Sequence, residues 1–167
     1  MFRKLCIACG MAAGLALQAE TGYDVWLRYA ALDGEALRQA RTYIPAVVSV
    51  FGDSELIVSG RDELIRGARG MVGRTLRQES GLPKESGILL GTLDALRQAA
   101  PAFNLDGALK PEGYWLKTID SRGTRYIVVA GADERGVLYG AFALLRKTAM
   151  GEQIHRDLSD LQLLPPD

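Results

Sequence analysis

Arg125-Tyr-Ile-Val-Val-Ala130 and, two residues on, Asp133-Glu-Arg-Gly-Val-Leu-Tyr-Gly-Ala-Phe-Ala-Leu-Leu-Arg146 decide the fold class. The first is a short β-branched run of the kind that packs inside a sheet. In the second, Val137, Leu138, Ala141, Phe142, Leu144 and Leu145 recur at helical spacing behind Asp133, a good N-cap. Gly136 and Gly140 stand four apart on that helix, which predicts close approach of one face to its neighbour. Glycine costs up to about 1 kcal/mol against alanine inside a helix, so two of them call for a packing reason.

Working outward, Glu112–Ile119 reads as a strand, and Asp120–Thr124 joins it to Arg125–Ala130 as a hairpin. Tyr23–Tyr29 alternates like a first strand, with Tyr23, Val25, Leu27 and Tyr29 on one face. A helix over Asp33–Arg41 follows, then a strand over Ile44–Phe51 whose Pro45 belongs at its start or on an edge. Ile57-Val58 reads as still extended. A helix then opens at Ser59 or Asp62 and runs to Val72, with Gly73 as its C-cap. Gly87–Thr92 is a short buried strand, Thr92 or Asp94 opens a helix through Ala99, and Pro101 ends it. Leu158–Leu164 is either a further strand or a lead-out. Strands and helices alternate around one hairpin. The expectation is an α/β fold, an α+β sandwich with a mixed β-sheet and helices packed on it, not an all-parallel doubly wound one.

The chain has 167 residues, 48% of them hydrophobic, with 20 basic and 20 acidic side chains. That length and composition suit one domain with a real core. A balanced charge gives no basic footprint for nucleic acid. Residues 1–19 read as a secretory signal peptide: Met-Phe-Arg-Lys, the apolar run Leu5–Leu17, then small residues up to Ala19. An uncleaved anchor is the alternative. The run is short for a membrane span of ~20 residues, so no span is expected after signal removal, and the mature domain is expected to be secreted or periplasmic. Cys6 and Cys9 fall inside this leader, where their C-x-x-C spacing carries no site.

Residues with catalytic or metal-binding chemistry are sparse or already explained by structure. His155 is the one histidine, too few for a Ser–His–Asp set or for zinc. Asp24, Asp53, Glu55, Asp62, Glu63, Asp106, Glu112, Asp133 and Glu134 are available carboxylates, but most stand at turns and helix starts, where capping is the default, notably for Asp62 and Asp133. Gly131–Gly136 follows a strand and opens a helix, yet lacks G-x-G-x-x-G and the Lys-Ser/Thr of a phosphate loop. Trp26 and Trp115 sit on predicted strands, where core packing, interdomain contact and sugar stacking are all open. No catalytic, substrate-binding or metal residue and no cofactor is assigned.

Gly22-Tyr-Asp-Val-Trp-Leu-Arg-Tyr29, Arg61-Asp-Glu-Leu64 before Gly70-Met-Val-Gly-Arg74, Gly87-Ile-Leu-Leu-Gly-Thr92, Pro111-Glu-Gly-Tyr114 and Gly136-Val-Leu-Tyr-Gly-Ala-Phe142 occur in that order. Together they resemble the N-terminal domain of bacterial α-glucuronidases, over residues 20–164. The Gly-x-x-Tyr-Gly helix is also similar to the domain preceding the barrel in β-hexosaminidases. The resemblance implies xylan-degrading glycoside hydrolases that remove α-1,2-linked (4-O-methyl)glucuronic acid from xylo-oligosaccharides with inversion. Their acid and base belong to a (β/α)₈ barrel. Residues 165–167 would be a truncated linker to that barrel, so the resemblance places no catalytic residue here. The expected role is a non-catalytic accessory domain with the barrel as partner and an apolar patch where it docks. A free-standing carbohydrate-binding module, contacting xylo-oligosaccharide, and a fragment with no independent role are the alternatives.

Overall fold

The structure is a computed structural model that describes residues 29–152. Its elements in chain order are α1 (Gly34–Tyr43), β1 (Val47–Phe51), α2 (Glu55–Val72), β2 (Arg77–Glu79), β3 (Gly87–Thr92) and α3 (Leu93–Ala99). A 3₁₀ turn (Pro101–Phe103), β4 (Tyr114–Ser121), β5 (Thr124–Gly131) and α4 (Glu134–Ala149) complete them. The strands form one mixed sheet in the order β2-β1-β3-β5-β4. The pairs β1–β2, β1–β3 and β3–β5 are parallel, and β4–β5 is antiparallel. The mixed sheet with packed helices is the architecture expected from the sequence.

Side chains alternate across the strands and so build two cores. Val48, Ile88, Leu90, Ile127, Val129, Tyr114 and Leu116 point to the face covered by α2 and α4. Leu89, Tyr126, Val128 and Ala130 point the other way, under α3 and Phe103. The central strands are therefore buried on both faces, which explains why β3 and β5 are nearly continuous apolar runs.

Several boundaries differ from the sequence reading. Ile57-Val58 is helical, because α2 opens at Glu55 under an N-cap from Ser54, whose Oγ accepts from Ile57 N at 3.4 Å. Asp62 is thus inside the helix, exposed and paired with Arg61 at 2.7 Å, and caps nothing. Gly73 does close α2, in the left-handed conformation at φ 66°. The hairpin turn is tighter than expected. Arg122 and Gly123 alone connect the strands, with φ values of 51° and 80°, and the strands pair right up to Ser121↔Thr124. Such a two-residue turn matches the natural strand twist. β2 is not predicted by the sequence, because Arg77-Gln-Glu79 has no apolar alternation; it is held as a charged edge by pairing with β1. Of the expected first strand only Tyr29 lies within the described residues, and the Leu158–Leu164 segment lies outside them.

Candidate functional site

Two of the motifs set far apart in sequence meet at one end of the sheet. Pro111-Glu-Gly-Tyr114 leads into β4, and Gly131-Ala-Asp-Glu-Arg-Gly136 leads from β5 into α4. Asp133 joins them: Oδ1 accepts from Gly136 N at 2.9 Å, and Oδ2 accepts from Glu112 N at 2.8 Å. Ala132 N donates to Gly113 O at 2.8 Å across the same seam. Any side chain at Gly136 would run into the Gly113 carbonyl, so α4 can lie this close only with glycine there. Burial alone would raise the Asp133 carboxyl. Hydrogen bonds from the backbone N–H groups of Gly136, Glu112 and Arg135, with the Arg135 charge, outweigh it and hold the pKa below the usual value. Both oxygens are ionised and occupied, so Asp133 has no proton to give at neutral pH. The Glu112 carboxylate, on a residue at φ 60°, is held by Arg135 at 2.8 Å.

A second cluster was not anticipated as a unit. Glu63, on the inner side of α2, is only 5% exposed. Arg66 donates to it at 2.7 and 2.6 Å, and the Tyr29 hydroxyl donates at 2.8 Å. The Arg66 guanidinium also lies 5.3 Å from the Tyr29 ring centre, a favourable cation–π distance. Burial, then the bond to Glu63 and its charge, push the Tyr29 phenol up, with Arg66 opposing. The cluster fastens the segment before α1 to α2. Beside it, the backbone amide of Leu32 donates to Met71 O at 2.9 Å. The signal was present in the sequence: Glu63 falls on the same stripe as Gly60, Leu64 and Gly67, where a carboxylate needs a partner.

The remaining candidates stay apart. Asp53, Glu55, Asp106 and Glu134 are exposed at turns or first helical turns. Asp24, Trp26 and His155 lie outside the described residues. Trp115 is half-buried against the second core, and a Cβ at Gly107 would stand 2.9 Å from its ring. Arg97 fixes that covering loop by donating to Leu105 O at 2.9 Å and to Gly107 O. The indole is thereby packed by its own chain. An apolar cavity between α2, α4 and β3, lined by Leu64, Met71, Ile88 and Leu144 among others, measures about 10 Å³, the scale of one water and not of a sugar. Among the described residues, no group of three or more His, Cys, Asp or Glu side chains could hold a metal ion, and no helix is long and apolar enough to cross a membrane.

The most exposed large hydrophobics are scattered over the described residues. Leu82, Tyr139 and Met150 are the large hydrophobics that stand exposed among them. Leu82 lies between β2 and β3, while Tyr139 and Met150 are about 16 Å apart along α4.

Residues 25–144 match the family described as Glycosyl hydrolase family 67 N-terminus. The chain is 34% identical over 148 residues to an α-glucuronidase of Hypocrea jecorina, covering 85% of this chain and 17% of that protein. It is also 34% identical over 136 residues to a probable α-glucuronidase A of Aspergillus fumigatus, covering 80% of this chain and 16% of the relative. The chain thus spans 16–17% of the length of these curated relatives. A solved family GH115 4-O-methyl-α-glucuronidase, with specificity for decorated arabinogalactans, superposes with a TM-score of 0.50. That alignment has 21% identity and covers 64% of this chain and 14% of the other, a likeness of fold.

Proposed function

The chain belongs to the glycosyl hydrolase family 67 N-terminus family, and from that premise we propose that it is the non-catalytic, accessory N-terminal domain of an α-glucuronidase. The whole enzyme removes (4-O-methyl)glucuronic acid from xylo-oligosaccharides during xylan breakdown, and a (β/α)₈ barrel carries its acid and base. On this reading residues 1–19 are a leader for export to the periplasm or beyond, 20–164 are the domain, and 165–167 lead onward.

One observation carries the proposal: the best-placed carboxylates are committed to structure. Asp133 accepts from the backbone amides of Gly136 and Glu112, among others, Glu112 is paired with Arg135, and Glu63 is closed in by Arg66 and Tyr29. An inverting glycosidase needs an acid and a base about 6.5–9.5 Å apart with water between them. A carboxylate engaged by such partners is poorly placed for either role.

The test incubates the 167-residue chain with aldouronic acids and measures released glucuronic acid. No release above the buffer rate is expected, and turnover at enzyme-like rates would overturn the reading. A second arm titrates the chain into a separately produced barrel region of an α-glucuronidase by calorimetry. Saturable heat supports the accessory role, and its absence with a folded barrel counts against it.

A further inference from the structure

We draw no further inference here: the strongest candidate, the outer edge of β4 with Lys117 and Ile119 half-buried along one face, carries nothing because no observation among the described residues shows what covers it.

Discussion

Replacing Gly140 by alanine tests whether α4 is held at its distance from the sheet by the absence of a side chain. A Cβ at Gly140 would stand 2.8 Å from Val129 Cγ1 and 3.3 Å from Tyr114 Cβ. Carbon atoms prefer about 3.5–4.0 Å, so the helix must retreat by roughly 0.7 Å or more. Neither neighbour can yield cheaply. Val129 is β-branched and fully buried, Tyr114 is 1% exposed, and both are fixed in paired strands. Overpacking of this kind costs about 1–3 kcal/mol, against a gain of up to about 1 kcal/mol from alanine's helix propensity. The net expectation is a loss of up to about 2 kcal/mol. Gly60→Ala is the internal control, since its Cβ would meet its nearest neighbours at 3.5–3.7 Å, an ordinary contact. That variant should gain up to about 1 kcal/mol. Urea titrations followed by far-UV circular dichroism give both values from one pair of samples, with the slope checked for constancy. If Gly140→Ala proves as stabilising as Gly60→Ala, the close-approach argument is wrong.

Other expectations rest on the same end of the fold and on the buried cluster. Gly136→Ala should be more damaging than Gly140→Ala in the same titration, because its methyl would meet the backbone carbonyl of Gly113 and not a side chain. Asp133→Asn keeps one acceptor oxygen for the Gly136 amide but sets an NH2 group against the Glu112 N–H, and should cost about 1–3 kcal/mol at pH 7, the scale of a donor left unsatisfied. Because the folded carboxyl titrates below its ordinary value, its contribution is fully present above about pH 4 and fades as pH falls through the lower folded value. Wild type and Asp133→Asn should therefore converge in stability as pH falls below about 4; a gap that stays constant would assign the loss to something other than the charge. Tyr29→Phe removes a hydroxyl donor from the Glu63 carboxylate and should cost about 1.5–3 kcal/mol by the same measurement. A neutral result would mean that the phenol does not fasten the segment to α2.

The legible parts of this protein were those whose cause is local. Behind Asp133 the helical spacing of Val137, Ala141 and Leu144 foretold both the cap and the buried face of α4. Thr92 and Gly73 likewise marked the start of α3 and the end of α2 through cap chemistry confined to a few residues. Periodicity failed where packing outweighed it. Arg77-Gln-Glu79 is a strand only because β1 offers it an edge, and Ile57-Val58 is helical because Ser54 begins the turn earlier. The ordered set of motifs, from Gly22–Tyr29 to Gly136–Phe142, was sufficient to point to the family.

Sequence alone thus determined the alternation of strands and helices, the hairpin and the family, since each depends on residue types over short spans or on their order. Tertiary structure decided the strand order β2-β1-β3-β5-β4 and which carboxylates are already occupied. Asp133 reaches the amide of Glu112, and Glu63 the hydroxyl of Tyr29, across 21 and 34 residues of chain. Such partners are fixed by how the layers pack, and no local pattern in the chain encodes them.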